Sequence, residues 1–477
     1  MLFLKGHCLR DLQTKTRAHY GDDSNPGINF ELHCLMPQFL NCLILILLLS
    51  FGALSAKAQE FYYLDGDAES MLARASSVLD GQPVKSLWVV TYKLKADSAG
   101  LSLLAALVHT AQNGGEALLL VDNKIVDAEP GLIAFAQSQG VKIKFYRPGK
   151  VGLKDLLHPI DTFNRLNSRM HSKLFIVNGE MAFIGDKNYT MKSFRTMLGL
   201  SPKTVTMLGK EILVTGEPVS SMSEYYSKLW NHPDSSDPKD KLPTLEKQTQ
   251  IQQSFETHLN WLREQIQKRG SPWKKQTFKF KSFQWLTNTN DKTTMAQVLE
   301  ILEKVPRGTR ILFESPYFIL YPELYDLLKT LRARGVPVTV VVNSPDVADI
   351  PLIGDAFKID LPKLLELGIE VELIDFKRRV THGKVILIGD RYVIIGSGNM
   401  DGRSFNINEE SNAHIESPEF SSYLWKQYES TKHLRSRAYI SESASVSCEK
   451  SVGRRIYLPI QISKTKKLFI ESIRPQL

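Results

Sequence analysis

The sequence predicts an α/β fold made of two similar α/β sandwich domains that are related by internal duplication, with a functional site where they meet. Three observations support this prediction: strand-type apolar runs alternate with helical stretches, their order occurs twice, and each copy ends in a matched set of polar residues. The chain of 477 residues is 43% apolar and 23% charged, which is enough for two complete hydrophobic cores.

The first copy begins with a strand-type run at residues 86–92, and a helical stretch follows around residues 101–108. Gly114 and Gly115 then mark a turn before a second strand at residues 117–122. A third, alternating strand follows Gly140 at residues 141–145.

The second copy repeats this order with a strand at residues 310–313 and a helix at residues 323–331. Gly335 then precedes a strand at residues 338–343, and an alternating strand follows at residues 368–373. Because strands that alternate with helices form parallel pairs through crossover connections, we expect a largely parallel sheet in each domain.

Five segments follow from this pattern: an export signal region at residues 1–58, a first domain at 59–232, a connector at 233–275, a second domain at 276–436, and a basic tail at 437–477. The connector contains apolar residues at helical spacing, which predicts one amphipathic helix that packs on the domains; a membrane or partner surface is the alternative. These residues are Ile251, Phe255, Leu259, Leu262 and Ile266, and the helix is expected to end at Gly270.

Residues 43–54 form an almost continuous apolar run, and Ala56-Lys57-Ala58 follows with the small-x-small pattern at which signal peptidases cut. We therefore expect cleavage after Ala58 and a protein that is periplasmic or secreted. If the apolar run extends back to Phe39, the alternative is an uncleaved membrane anchor. Because Cys448 is the only cysteine beyond the expected cut, an internal disulfide and a cysteine metal site are both excluded for the cleaved chain.

The chain has a formal net charge of +9, which suits anionic partners such as phospholipid headgroups, a membrane surface or nucleic acid. A basic surface that is merely solvated is the alternative.

Each half carries a histidine, a lysine and an asparagine at the same spacing. The lysine follows the histidine by two positions and the asparagine follows it by seventeen. In the first half these residues are His171, Lys173 and Asn188, and in the second half they are His382, Lys384 and Asn399.

On a strand, residues i and i+2 point to the same face, so each histidine and lysine should face one site. A second strand then brings the asparagine to the same edge of the sheet. Two imidazoles, two ammonium groups and two carboxamides would surround one tetrahedral anion, which fits a phosphoryl group. One histidine would attack phosphorus and the other would protonate the leaving oxygen, with neither a metal nor a cofactor required.

At these residues the sequence resembles the phospholipase D superfamily, whose repeated signature is His-x-Lys, then an Asp, then Gly-Ser-x-Asn. Residues 162–171 resemble the stretch before the first motif in bacterial cardiolipin synthases of the C type. Residues 315–318, and residues 401–404 followed by Asn408 and Glu410, resemble segments of lipid-acting members. The resemblance implies a phosphohistidine intermediate and phosphate contacts from Asn188, Asn399 and Ser397. It also implies a carboxylate that orients each histidine, for which Glu410 and Glu211 are the candidates.

The chain departs from the family signature at three positions. Asn178 and Gly389 replace the signature Asp, and Asp186 replaces the first signature Ser, where a carboxylate would repel a bound phosphate. Three functions therefore stay open: a phospholipid hydrolase or phosphatidyltransferase, an exported nuclease with the same chemistry, and a protein that binds phosphate headgroups without turnover. The basic residues show no aromatic interleaving of the kind that stacks bases, which weighs against the nuclease.

Overall fold

The computed structural model describes residues 60–81, 83–123, 126–146, 166–194, 206–270, 276–348, 350–375, 379–440, 446–450, 455–457, 462–474 and 477. They belong to one compact unit, Gln59–Leu477. The predicted export signal region lies outside the described residues, as does part of the family-like stretch at residues 162–171. In the part of the chain that the structure describes, no helix has the length and hydropathy needed to cross a bilayer.

The first half and the connector contain twelve described strands and five described α-helices. The strands are β1 (Glu60–Leu64), β2 (Ser86–Thr91), β3 (Leu94–Lys95), β4 (Glu116–Asp122), β5 (Val126–Asp127), β6 (Lys142–Tyr146), β7 (Leu174–Val177), β8 (Met181–Gly185), β9 (Thr206–Leu208), β10 (Glu211–Thr215), β11 (Ser235–Ser236) and β12 (Thr277–Lys279). The helices are α1 (Asp67–Leu79), α2 (Ser98–Gln112), α3 (Pro130–Ser138), α4 (Pro218–Trp230) and α5 (Leu245–Arg269), with a 3₁₀ turn at Met191–Ser193.

The second half contains eleven described strands and six described α-helices. The strands are β13 (Ser282–Thr287), β14 (Ile311–Ser315), β15 (Val338–Asn343), β16 (Glu370–Ile374), β17 (Arg379–Thr381), β18 (Val385–Ile388), β19 (Tyr392–Gly396), β20 (Ser411–Glu416), β21 (Ser436–Ile440), β22 (Val446–Lys450) and β23 (Arg455–Tyr457). The helices are α6 (Thr294–Glu303), α7 (Pro322–Ala333), α8 (Pro351–Glu366), α9 (Gly402–Asn406), α10 (Pro418–Thr431) and α11 (Lys464–Ile473), with 3₁₀ turns at Pro345–Val347 and Lys432–Leu434.

Each half is centred on one large sheet, and the two sheets share a central plan. The described strand orders are β11-β6-β4-β2-β7-β8-β10-β1-β12 and β13-β20-β19-β18-β14-β15-β16-β21-β22-β23. In each sheet three strands are parallel, β2-β4-β6 and β14-β15-β16, as expected from the helical crossovers between them.

The expectation of largely parallel sheets is wrong outside these central strands, because the other pairings within the two large sheets are antiparallel. The reason is visible at β7 and β8, which are joined by a three-residue turn that includes Asn178 (φ 56°) and Gly179 (φ 65°). A tight hairpin of this kind can join only antiparallel strands.

The two sheets pack against a shared apolar layer and carry further helices on their outer faces. Side chains of both sheets meet in this layer, for example Ile184 and Ile212 from the first half with Val393 and Ile395 from the second. Helices α1, α2, α3 and α5 cover the outer face of the first sheet, and α6, α7, α8 and α11 cover that of the second. The α/β sandwich prediction is therefore confirmed, with the two halves in direct contact.

The connector helix α5 packs on the first half, where Ile251, Phe255 and Leu262 are buried in its outer core. The apolar face of this helix is thus used for packing, as predicted. It packs on the first half, whereas packing on both domains was expected. The helix ends at Gly270, whose φ of 69° suits glycine.

The predicted basic tail contributes regular structure to the second half. Strands β21, β22 and β23 extend the second sheet, and α11 packs on α8. Arg474 anchors this helix through Asp360, 2.7 Å away. Because these strands are short and the helix carries mostly exposed polar residues, the apolar residues of this segment show no clear periodicity in the sequence.

Candidate functional site

The two His-x-Lys segments lie in extended chain just before a strand, rather than within one. His171 and Lys173 precede β7, and His382 and Lys384 precede β18. The prediction that they sit on the strand is wrong by a few residues, and the apolar run that follows each motif is the buried strand. In both segments the lysine ammonium donates to the carbonyl of its own histidine, a bond of 2.7 Å for Lys384.

Backbone hydrogen bonds between the halves hold each histidine against the other half. The His171 amide donates to the Glu409 carbonyl at 2.8 Å, and the His382 amide donates to the Leu208 carbonyl at 2.8 Å. Strands β17 and β9 pair in parallel beside the second of these bonds. The structure therefore brings the two histidines to one interface, with each histidine contacting the opposite half.

Glu410 orients the histidine of the opposite half. Its carboxylate lies 2.9 Å from His171 Nδ1 and is fully buried. It also accepts hydrogen bonds from Ser397 Oγ at 2.6 Å, Ser404 Oγ at 2.8 Å and Asn408 Nδ2 at 3.3 Å. Burial alone would raise the pKa of Glu410, but His171, Lys173 and Ser397 hold the pKa below its ordinary value.

Asp186 lies beside the other histidine, with its Oδ1 atom 3.8 Å from His382 Nδ1. The second oxygen accepts a hydrogen bond from the Lys210 amide at 3.0 Å. Burial would raise the pKa of Asp186, but His382 and Lys384 bring the pKa below its ordinary value. The expected repulsion between Asp186 and a phosphate is therefore offset by cationic and donor groups that surround this carboxylate.

Lys173 and Lys384 are both buried in the site, and so are Asn188 and Asn399. Burial and the nearby charge of Lys384 hold the pKa of Lys173 well below its ordinary value, against the opposing charge of Glu410. Among the described residues, the side-chain oxygens of Asn188 and Asn399 have no hydrogen-bond partner. The ammonium groups of the two lysines and the amide donors of the two asparagines form a site suited to an anion.

Both histidines are neutral at pH 7 in the free protein. Burial lowers the pKa of His171 to about 4, with Lys173 and Lys384 adding to this effect and Glu410 opposing it. Burial and Lys384 likewise lower the pKa of His382 to about 4, and Asp186 opposes them. A neutral imidazole can attack phosphorus, whereas a bound anion would favour protonation of the second imidazole.

This pKa shift predicts a loss of stability in acid. Between pH 6.5 and pH 4 the unfolded histidines bind protons that the folded ones do not, so the free energy of unfolding falls as the pH is lowered through this window. Each shift corresponds to about 3 kcal/mol over the full window. The double variant His171→Asn/His382→Asn should therefore lose less stability than the wild type in urea titrations at pH 7 and pH 4.5. Equal losses in the two proteins would contradict the prediction.

The structure gives Ser397 a partner other than phosphate. Its hydroxyl donates to Glu410 at 2.6 Å and accepts from the Ser411 amide at 2.9 Å. The prediction of a direct phosphate contact is therefore not supported, because both bonding directions of the hydroxyl are used to fix the carboxylate.

The prediction that Glu211 orients a histidine is wrong. Its carboxylate forms a buried, two-pronged ion pair with Arg74, in which one bond is 2.6 Å, and it also accepts from Ser70 Oγ at 2.5 Å. The Arg74 guanidinium lies over the ring of Phe183 at 4.8 Å. Glu211 thus ties helix α1 to the first sheet and has a structural role.

Replacing Glu211 by glutamine should destabilise the protein without altering the chemistry of the site. The free energy of unfolding is expected to fall by about 3 to 5 kcal/mol, because Arg74 would remain buried without its counter-charge. Urea unfolding measures this loss. Glu116→Gln, which breaks the exposed pair with Lys142, is the matched control and should change the value by less than about 0.5 kcal/mol. Equal effects of the two substitutions would contradict the assignment.

The altered signature positions Asn178 and Gly389 lie in hairpin turns. The Asn178 side-chain oxygen accepts from the amides of Lys85 at 2.8 Å and Ser86 at 3.1 Å, and so fixes the start of β2. The Gly389 carbonyl accepts from Trp425 Nε1 at 2.8 Å. Both positions have structural partners, so the loss of the signature Asp leaves the histidines and lysines in place.

Several supporting residues were not found by sequence reasoning. Asp122 and Asn343 end the equivalent strands β4 and β15 and bind the backbone just before each histidine, at Met170 (3.1 Å) and Thr381 (2.8 Å). Their matching positions in the two repeats were the available signal. Tyr92 packs edge-on against the His171 ring at 4.7 Å, and no sequence pattern marked it.

Comparisons with known proteins agree with this arrangement. A family model described as "Cardiolipin synthase, PLD-like domain" matches residues 306–432. The chain is 24% identical to cardiolipin synthase B of Salmonella typhi over 347 residues, covering 72% of this chain and 73% of the relative. It is 25% identical to cardiolipin synthase 2 of Staphylococcus epidermidis over 326 residues, covering 68% and 58% respectively.

The crystal structure of a phosphatidylserine synthase from Haemophilus influenzae is similar to the whole arrangement of the two halves. The TM-score is 0.61 at 14% sequence identity, and the match covers 89% of this chain and 95% of that chain. At this identity the likeness shows the fold alone, and its coverage extends over both halves of this chain.

Proposed function

We propose that this chain, which belongs to the phospholipase D superfamily, is a phosphodiesterase or phosphatidyltransferase that acts on phospholipids through a phosphohistidine intermediate. The observation that carries the proposal is the pair of buried histidines, each beside a carboxylate from the opposite half, with two lysines and two asparagines around them. This set provides a nucleophile, a proton donor and charge stabilisation for a phosphoryl group.

In the first step, the free imidazole nitrogen of one histidine attacks phosphorus. A phosphorus–nitrogen bond forms and the bond from phosphorus to the leaving oxygen breaks, while the other histidine, in its protonated form, gives its proton to that oxygen. Lys173, Lys384, Asn188 and Asn399 would stabilise the charge on the non-bridging oxygens.

In the second step, the histidine that lost its proton acts as a base. It takes the proton from water or from an alcohol, whose oxygen attacks phosphorus and displaces the first histidine. Water gives hydrolysis, and the hydroxyl of a second lipid gives phosphatidyl transfer. Both histidines return to their starting forms.

Two observations favour a phospholipid over other phosphodiesters. The relatives named above are cardiolipin synthases. In addition, a cavity of about 400 Å³ lies next to the segment before His382, and its lining combines apolar side chains such as Leu312 and Leu387 with charged ones such as Lys210 and Glu314. A mixed lining of this kind suits a molecule that carries both hydrocarbon and charge, as a phospholipid does.

The test is to incubate the purified full chain with vesicles of phosphatidylglycerol or phosphatidylcholine, and separately with single-stranded DNA, all in EDTA. Mass spectrometry should find cardiolipin, phosphatidic acid or free headgroup, and turnover should be lost in His171→Asn. His109→Asn, which changes a histidine on helix α2 outside the site, is the matched control and should retain turnover. Cleavage of DNA alone would replace the proposal with the nuclease, and binding without any product would replace it with the headgroup-binding protein.

We also propose export, as the apolar run at residues 43–54 and the Ala56-Lys57-Ala58 pattern predict. Residues 1–58 fused to a reporter enzyme that is active only outside the cytoplasm should give activity. A reporter that stays inactive would contradict export, and a mature chain that begins at Gln59 would support cleavage over anchoring.

A further inference from the structure

We propose that Asp186 is the positioning residue for His382. Gly209 is the counterpart of Glu410 in the first half, and the absence of a side chain at Gly209 leaves the space that Asp186 occupies. Each half would then supply one carboxylate to the histidine of the other half. The two carboxylates come from different positions of equivalent antiparallel strand pairs, β8 with β10 and β19 with β20. The inference deepens the proposed function and rests on it for the role of His382.

The backbone bonds between the halves show which positions correspond. His171 donates to the carbonyl of Glu409, and His382 donates to the carbonyl of Leu208, each at 2.8 Å. The residue that follows each acceptor is Glu410 in one case and Gly209 in the other. Gly209 is therefore the counterpart of Glu410.

The hairpin register gives the same correspondence independently. Gly185 lies opposite Glu211, and Gly396 lies opposite Asn412. The Lys210 amide donates to Asp186 Oδ2 at 3.0 Å, as the Ser411 amide donates to Ser397 Oγ at 2.9 Å. Asp186 thus replaces Ser397, and the residues before Lys210 and Ser411 are again Gly209 and Glu410.

Space explains why the two changes occur together. A Cβ atom on Gly209 would lie only 2.0 Å from Asp186 Oδ1, so Asp186 in this position excludes any side chain at position 209. Gly209 does not have the positive φ that would require a glycine on backbone grounds. Glycine at position 209 therefore leaves room for the Asp186 carboxylate.

The Oδ1 atom of Asp186 faces His382. Asp186 is fully buried, and among the described residues its Oδ1 atom has no hydrogen-bond partner, while His382 Nδ1 lies 3.8 Å away. This separation is longer than the 2.9 Å between Glu410 and His171, and Lys384 Nζ lies 3.3 Å from the same His382 nitrogen. The Asp186 carboxylate favours a proton on Nδ1 and stabilises the imidazolium form, whereas the Lys384 ammonium favours an unprotonated Nδ1. When Lys384 contacts a bound phosphate instead, the carboxylate would keep the proton on Nδ1 and leave Nε2 free to act as a base.

The experiment compares Asp186→Ser with the double variant Asp186→Ser/Gly209→Glu, which gives the first half the residues of the second. Asp186→Ser should lower kcat by about 10² to 10³ and shift the acid limb of the pH profile. The double variant should recover turnover to within about tenfold of wild type, because Glu at position 209 would replace the lost carboxylate. Asp127→Ser, which removes an exposed carboxylate paired with Lys95, is the matched control and should leave kcat unchanged.

A second readout does not depend on turnover. In protein with ¹⁵N-labelled histidine, long-range NMR spectra report which ring nitrogen of His382 carries the proton. With inorganic phosphate bound, the Nδ1–H fraction should be larger in wild type and in the double variant than in Asp186→Ser. This readout still decides the role of Asp186 if the wild type turns over no phospholipid.

Unchanged kcat and an unchanged tautomer in Asp186→Ser would overturn the proposal. So would a folded double variant that is no more active than Asp186→Ser and keeps the smaller Nδ1–H fraction of that variant. If the serine variant fails to fold, Asp186→Asn removes the charge with little change in shape, and it should show the same loss of kcat and of the Nδ1–H form.

Discussion

Replacing either His171 or His382 by asparagine is expected to lower turnover by about 10⁴-fold or more. The two imidazoles act as a unit, one as the nucleophile and one as the acid and base, so removing either leaves no complete reaction path. The pKa of about 4 for both side chains keeps them neutral at pH 7, and only a bound anion favours the protonated form that the leaving oxygen needs. Product formation from phospholipid vesicles, corrected for folded protein, measures the loss.

The two variants are expected to differ when the substrate has a leaving group that needs no protonation, such as a nitrophenyl phosphodiester. The variant that lacks the acid and base should form the phosphohistidine and hold it, because no base activates water. The variant that lacks the nucleophile should form none. Mass spectrometry of rapidly quenched protein therefore assigns the two roles.

His109→Asn controls for the general effect of losing a histidine and should retain turnover, since His109 lies on α2 outside the site. If either His171→Asn or His382→Asn kept a tenth of wild-type turnover, the paired-histidine mechanism would be wrong. A folded wild-type protein with high turnover but no covalent phosphate at any time would also argue against it.

Replacing Lys384 by methionine is expected to have opposite effects on catalysis and stability. Turnover should fall by about 10³-fold, because a buried cation that stabilises phosphoryl oxygens is lost. The free energy of unfolding should rise by about 1 to 2 kcal/mol, because methionine removes both the cost of burying the Lys384 charge and its repulsion of Lys173, which together exceed the lost attraction to Asp186. Relieving this repulsion stabilises the free protein at neutral pH.

Thermal unfolding with and without inorganic phosphate tests the second effect. Without phosphate the Lys384→Met variant should melt higher than wild type, and saturating phosphate should stabilise wild type more than the variant. Lys142→Met, which removes an exposed lysine paired with Glu116, should change neither turnover nor the phosphate response. A lower melting temperature for Lys384→Met without phosphate would show that repulsion between Lys384 and Lys173 does not destabilise the free protein.

The fold prediction succeeded where local pattern was sufficient. The strand-type runs at residues 86–92, 117–122, 338–343 and 368–373 correspond to β2, β4, β15 and β16 within two residues at each end. The stripe that begins at Ile251 became the buried face of α5. Each of these features depends on side-chain periodicity within one segment, which the sequence displays directly.

The assignment of carboxylates failed because it depends on contacts between distant segments. The constant offset of 211 residues holds from His171 and His382 as far as Asn188 and Asn399, and then ends. Asn188 precedes Gly209 by 21 positions, whereas Asn399 precedes Glu410 by 11. A candidate chosen by position along the chain therefore fell on Glu211, two residues beyond the true counterpart, where the side chain faces Arg74 instead.

The sequence by itself determined the duplicated α/β plan, the paired His, Lys and Asn residues, and the class of chemistry that they suit, because all of these are encoded in short-range spacing. The tertiary structure alone decided that Glu410 serves the histidine of the other half, that Asp186 faces His382, and that Glu211 belongs to a structural ion pair. The physical reason is that an ionisable side chain takes its role from the charges buried next to it, and those neighbours come from strands and segments far apart in the chain.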